Sequence, residues 1–216
     1  MHDTNIFSHW RASIFCILMS ISFISCTKNV DTFNQVKKYD AVILFVGNSL
    51  TYTNDLPQIL VKHAEFKGKK IKTESLTLPN YALVDHLAEG KVQKLVDSKK
   101  YNFVIVQQGP SSQEEGRKLL FEAAEIFKDL CAKNDAKLAF YMVWPAHANY
   151  HHFDGVIKNY TEAASKSNAI LCPVGKVWKD YIDKTNDLTY YGQDLFHPSE
   201  KGSQVASEVI YNSLFP

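Results

Sequence analysis

The chain has 216 residues, 45% hydrophobic and 22% charged, with a formal net charge of +1. This is a globular composition, long enough for one domain with a sizeable core. No long run of one charge sign favours nucleic acid or an anionic surface as partner, and no short-period repeat points to a collagen, a coiled coil or a solenoid.

The N-terminus stands apart. His9, Trp10 and Arg11 precede the apolar stretch "ASIFCILMSISFIS", residues 12–25. That is shorter than the roughly 20 residues needed to cross a bilayer, and it fits the apolar region of a signal peptide. Phe23-Ile24-Ser25-Cys26 resembles a bacterial lipobox, with Phe23 where Leu is usual. The resemblance implies cleavage before Cys26 and its lipidation; the alternative is a plain secretory signal with an incidental cysteine. The chain then divides into a signal peptide (1–25), a polar tether (26–39) and a globular domain (40–216), lipid-anchored in the bacterial cell envelope. Cys16 lies in the signal. Cys131, in a helical pattern, and Cys172, at the end of an apolar strand, read as small buried hydrophobes rather than a disulfide.

Past the tether, strand and helix signals alternate. "AVILFV" (41–46) is a continuous apolar run, as expected of a strand buried on both faces. It leads into Gly47-Asn48-Ser49. Residues 55–67 then place Leu56, Ile59, Leu60 and His63 on one helical side, with Asp55 able to cap and Pro57 in the first turn. "KIKTESLTL" (70–78) alternates and predicts a second strand. Residues 81–98 predict one or two short helices around Gly90. "NFVIVQ" (102–107) is a third strand. A helix over 113–133 follows, with Leu119, Leu120, Ala123, Ile126, Phe127 and Leu130 at three-to-four spacing. "KLAFYMVW" (137–144) and "AILCPV" (169–174) complete five strands. Helices are predicted over 153–166, 174–184 and 199–214. This alternation predicts an α/β fold: a three-layer α/β/α sandwich with a five-stranded parallel sheet of flavodoxin-like order.

Ligands in such folds sit outside the C-terminal strand ends. That puts "GNSLT", "QQGPSS" and "WPAHANYHH" on one rim. A serine hydroxyl is a weak nucleophile until a base takes its proton. At a strand end before a helix, backbone N–H groups and the helix dipole can face a developing oxyanion. Alone, Asn48, Ser49 and Thr51 read equally well as turn and capping residues. Near the other end, "DLFHPSEKG" carries Asp194 and His197, three apart, just before the last helix. That spacing lets a loop bring the carboxylate to one ring nitrogen and aim the other at a serine.

In this order and on this fold, "VGNSLT" and "DLFHPSEKG" resemble the first and last motif blocks of the SGNH/GDSL hydrolase superfamily. The nearest match is a branch with G-N-S-[LF]-T at the start and H-P-S-x-x-G at the close. The similarity spans about residues 41 to 215. It implies ester hydrolysis through an acyl-enzyme, with Ser49 as nucleophile, His197 as base, Asp194 as its orienter and no cofactor. The middle blocks depart from the pattern. Asn80 stands where the family has a Gly whose N–H faces the oxyanion. The third block's Asn has no direct counterpart: counting from Gly109 puts Ser111 in that column, while Gln107 and Gln108 close the strand. The implied oxyanion hole is therefore the N–H groups of Ser49 and Asn80 with an amide of Gln107 or Gln108, Gln107 favoured and Ser111 third. The alternative is that a glutamine merely satisfies backbone groups at the strand end. Tyr81 and Leu83 read as local packing, and His86 as a helix residue near the rim.

In "WPAHANYHHF", Trp144 and His147 are expected to line the acyl or alcohol pocket. Asn48 either lines it or orders its own turn. His147 and His151 are four apart, but only Asp154 could support a metal there, so no metal site is assigned. "SSQEEGRK" (111–118) lacks the Gly and Lys spacing of a phosphate loop. Short loops between strands predict a shallow site and a small acyl group. In an envelope protein acting as a monomer, that suggests acetyl esters on carbohydrate. The alternatives are lysophospholipid or thioester hydrolysis, and a non-catalytic protein that keeps the fold to bind carbohydrate.

Overall fold

Strand β1 (Ala41–Gly47) lies second from one edge of a five-stranded parallel sheet of order β2-β1-β3-β4-β5. It pairs with β2 (Ile71–Thr77) from Ala41↔Ile71 to Gly47↔Thr77, and with β3 (Phe103–Val106) on its other side. β4 (Lys137–Tyr141) and β5 (Ile170–Cys172) extend the sheet. The computed structural model describes residues 39–98 and 100–216. The expected signal peptide (1–25), Cys26 and most of the expected tether lie outside the described residues.

The connections are helical: α1 (Ser49–Tyr52), a 3-10 turn (Thr53–Asp55), α2 (Leu56–Phe66), α3 (Leu83–Ala88), α4 (Lys91–Ser98), α5 (Glu114–Lys133), a 3-10 turn (His147–His152), α6 (Phe153–Lys166), α7 (Val174–Thr185) and α8 (Glu200–Leu214). α2 packs on α8 and β2, while α5 packs on α3, α4, α6 and β4. The result is the expected three-layer sandwich. The central strands are apolar because both faces are covered: Ile43, Leu44, Phe45, Val46, Val104, Ile105 and Val106 are all fully buried. Each such side chain contributes roughly 1.5–3 kcal/mol of burial free energy.

Three local expectations change. β4 ends at Tyr141, three residues early. Residues 142–144 stay buried, but Met142 bonds to the backbones of Cys172 and Gly175 as the chain leaves the ladder. Asp55 does not cap α2 with its side chain; its backbone is left-handed, at φ 55°. A short helix, α1, starts at Ser49 itself. Cys131 and Cys172 are free and buried, and burial pushes each thiol up to about 12. Among the described residues, no helix is long and apolar enough to cross a membrane.

Candidate active site

The turn after β1 is built around Asn48. Its Oδ1 accepts from the Leu50 N–H at 3.1 Å, capping α1, and its Nδ2 donates to the Tyr81 carbonyl at 3.1 Å. With both ends of the amide committed, Asn48 orders the turn and does not line a pocket. A Cβ at Gly47 would sit 2.5 Å from Gln107 Oε1, so a side chain there would push Gln107 off its hydrogen bonds to the turn. Ser49 follows as the first residue of α1, a position whose N–H has no partner inside the helix.

The Asp194–His197 loop reaches that serine. His197 Nε2 lies 2.9 Å from Ser49 Oγ, and His197 Nδ1 lies 2.6 Å from Asp194 Oδ2. The other carboxylate oxygen, Oδ1, accepts from the N–H groups of Phe196 (3.0 Å) and His197 (2.9 Å). One oxygen thus shapes the loop and the other orients the ring. The His197 hydrogen bond, followed by the Phe196 N–H, holds the Asp194 carboxyl below its ordinary range. Proton transfer from Ser49 to Nε2 requires the tautomer with its proton on Nδ1, and a carboxylate at Nδ1 favours that form.

The loop is held on several sides. Gly192 N–H donates to the His197 carbonyl at 2.7 Å, and Tyr191 and Pro198 form an isolated antiparallel bridge. Leu195 takes the left-handed conformation, φ 54°, and its carbonyl accepts from the His147 N–H. Ser199 caps α8 by accepting from the Gly202 N–H at 3.0 Å. Gly202 cannot carry a side chain, because a Cβ would lie 2.2 Å from the Tyr190 carbonyl.

Trp144 is not a pocket residue. It is fully buried, stacked on Trp178 with ring centroids 3.4 Å apart, and its Nε1–H donates to the Phe196 carbonyl. A buried indole usually finds a partner for its N–H, and for Trp144 the loop that carries His197 supplies the acceptor. His147 lines a cleft with Tyr150, Ile182 and Leu188, and none of the three triad residues lines that cleft. A second cleft, about 370 Å³, runs beside Phe196; Pro110 and Pro145 contribute apolar walls and Gln113, Asn149 and His152 polar ones.

The expected side-chain oxyanion donors are all engaged elsewhere. Gln107 is 1% exposed; its Oε1 accepts from the Asn48 N–H and the Thr51 hydroxyl, and its Nε2 donates to the Gln108 carbonyl. Gln108 Nε2 donates to Ser111 Oγ and the Gly116 carbonyl, while its Oε1 accepts from the Leu83 N–H. Ser111 is buried and donates to the Gly109 carbonyl. These amides brace the strand ends, because buried polar groups must find partners. Asn80 is exposed with φ 60°, the left-handed region that Asn tolerates better than most residues.

Two contributions escaped sequence reading, although His86 does sit on a helix near the rim as expected. His86 on α3 is 1% exposed, with Nε2 2.9 Å from the Gly47 carbonyl. The carbonyl makes Nε2 the donor, and burial lowers the pKa of the imidazole, so it braces the end of β1 uncharged. Asn54 bridges from the 3-10 turn to Pro198 and Ser203. Both act on partners remote in sequence, and no local pattern marks them. Among the described residues, no group of three or more His, Cys, Asp or Glu side chains is gathered as a metal ion would need.

Fold and site together define an α/β protein with a Ser-His-Asp constellation on the C-terminal rim of its sheet. No protein-family model matches the sequence, and no curated protein matches it. Solved structures do. A proposed SGNH hydrolase from Slackia heliotrinireducens superposes with a TM-score of 0.67 at 21% identity, over 81% of this chain and 98% of its own. A lipase/acylhydrolase from Enterococcus faecalis gives 0.65 at 13% identity, over 81% and 95%. A catalytic mutant of an acetylxylan esterase from Geobacillus stearothermophilus gives 0.62 at 13%, over 82% and 95%. Identities this low speak for the fold: the chain has the three-layer fold of the SGNH hydrolases.

Proposed function

We propose that the protein is a serine esterase working through an acyl-enzyme. The observation that carries this reading is the continuous chain from Ser49 Oγ to His197 Nε2, 2.9 Å, and from His197 Nδ1 to Asp194 Oδ2, 2.6 Å. Ser49 Oγ attacks the ester carbonyl as His197 Nε2 takes its proton. The tetrahedral intermediate collapses, the C–O bond to the alcohol breaks, and His197 returns the proton to the leaving oxygen. Water then attacks the acyl-enzyme with His197 again as base, which releases the acid and restores Ser49. Asp194 stabilises the imidazolium in both halves. The oxyanion is held by the N–H groups of Ser49 and Asn80, since the glutamine amides are engaged elsewhere.

The substrate proposed is a small acyl group, acetyl, on carbohydrate. A half-buried Ser49–His197 pair beside a cleft with both apolar and polar walls suits a hydroxylated alcohol better than a long acyl chain. The proposed setting is the bacterial cell envelope, with the protein a monomer anchored through a lipid on Cys26. Incorporation of a fatty-acid analogue, lost in Cys26→Ala, tests the anchor. Lysophospholipid or thioester hydrolysis is the enzymatic alternative. A non-catalytic carbohydrate-binding protein is the other, and the commitment of Gln107, Gln108 and Ser111 favours it over an enzyme with a full oxyanion hole.

A fluorophosphonate probe separates these. Labelling of the wild type but not of Ser49→Ala supports the esterase. Glycan binding without labelling supports the non-catalytic reading. Acetate release from a panel of acetylated glycans then tests the substrate, and a preference for long-chain esters overturns it.

A further inference from the structure

We propose that Asn54 is the positioning residue that sets the separation of Ser49 and His197, and through it the rate of acyl transfer. This rests on the esterase reading above.

Asn54 sits in the 3-10 turn directly after the helix that begins at Ser49. Its own backbone is left-handed (φ 58°, ψ 15°), and so is that of Asp55. Two consecutive left-handed residues reverse the chain sharply, and Asn is one of the few side-chain-bearing residues that takes this conformation routinely. The turn aims the amide at the start of α8. Its Nδ2 donates to the Pro198 carbonyl at 2.9 Å and to Ser203 Oγ at 3.0 Å. Both N–H groups are therefore used. Their acceptors are the residue after His197 and a buried hydroxyl near the start of the helix that follows it.

The other restraints on the His197 loop come from different places. Asp194 and Gly192 belong to the loop itself, and Trp144 and His147 approach from beyond β4. Among the described residues, the hydrogen bonds that join the Ser49 segment to the His197 segment are the Ser49–His197 bond and the two from Asn54. The first of these cannot hold the register. Its proton moves to Nε2 and on to the leaving alcohol in each turnover, and the serine oxygen becomes part of an ester. The Asn54 bonds contain no reacting atom and persist through the whole cycle.

The test uses full-length protein with Asn54→Gly, which keeps the left-handed backbone and removes the amide. A second variant, Asn54→Asp, keeps the shape but turns an oxygen toward the Pro198 carbonyl. Turnover of p-nitrophenyl acetate, the rate and end point of fluorophosphonate labelling, and Tm are measured. A misplacement of order 1 Å costs about 100-fold in rate, so kcat and the labelling rate are expected to fall ~10–100-fold while KM stays within ~2-fold. Labelling should still go to completion, which separates a slowed site from a partly unfolded sample. The clamp is overturned if either folded variant labels and turns over within twofold of the wild type, even with a lower Tm. Asn54→Asp carries the test if the glycine variant does not fold, and Asn54→Ser, with one shorter donor, if neither does. A wild type that neither labels nor hydrolyses the ester overturns the esterase reading itself.

Discussion

Gln107 and Asn48 lie fifty-nine positions apart, yet Gln107 Oε1 accepts the Asn48 backbone N–H at 2.9 Å and the Thr51 hydroxyl at 2.8 Å. The side chain is a strut between the end of β3 and the turn that carries Ser49. Gln107→Leu leaves both donors buried without a partner, at roughly 1–3 kcal/mol for each. The expected result is a clear fall in Tm together with a fall in kcat as the turn shifts. An oxyanion role predicts the opposite split, a kcat loss of roughly 10²–10³ with stability intact. Thermal melts beside ester kinetics decide between them.

Asp194→Asn tests the orientation of His197. The Oδ1 position faces the N–H groups of Phe196 and His197, so the amide must put its own oxygen there. Its NH2 group then faces Nδ1 and drives the ring proton to Nε2, where it cannot receive the proton of Ser49. A kcat loss on the order of 10³–10⁴ with little change in KM is expected. An activity within tenfold of the wild type would show that the carboxylate has no such part.

Leu195 is held at φ 54° with 40% of its surface exposed. A left-handed residue with a Cβ costs roughly 1–2 kcal/mol, less for Asn. Leu195→Asn is expected to raise Tm by about 2–4 °C for each kcal/mol relieved. A lower Tm would mean that the leucine packs better than its exposure suggests.

Asp187 ties the loop before the triad together. The Tyr181 hydroxyl first, then the backbone and hydroxyl of Thr189, bring its pKa down to about 2. The folded value lies below the unfolded one of about 3.9, so its stabilising share is complete above that pH and fades as pH falls toward 2. Urea melts between those values should show a drop in stability that is flatter in Asp187→Asn. Identical pH profiles would refute the link.

The alternation of strands and helices and the Asp194–His197 spacing could be read from sequence because each rests on short-range pattern; the pairing of Ser49 with His197, 148 positions apart, came from the resemblance of the two motif blocks to the SGNH/GDSL hydrolases. Continuous apolar runs mark buried parallel strands, and three-residue spacing lets Asp194 serve both its own loop and the His197 ring. The bracing could not be read. Gln107 looks like an available amide until the Asn48 N–H arrives from another strand. Trp144 looks like a rim residue until Trp178, on α7, covers its face. The bond from Asn54 to Pro198 spans 144 positions. Such contacts depend on how layers close, and hydrophobic periodicity carries no record of that. The start of α2 departs from the sequence reading for a related reason: the left-handed backbone of Asp55 removes its side chain from the cap that its residue type suggests.

The stacked indoles have a practical consequence. Trp144 and Trp178 share one buried stack, and the Trp144 N–H is tied to the loop that carries His197. Indole emission depends on the polarity around the ring and on that hydrogen bond. The molecule therefore holds a label-free optical reporter of the loop that carries His197. A red shift on mild denaturation, before the sheet melts, would record the release of that loop in real time.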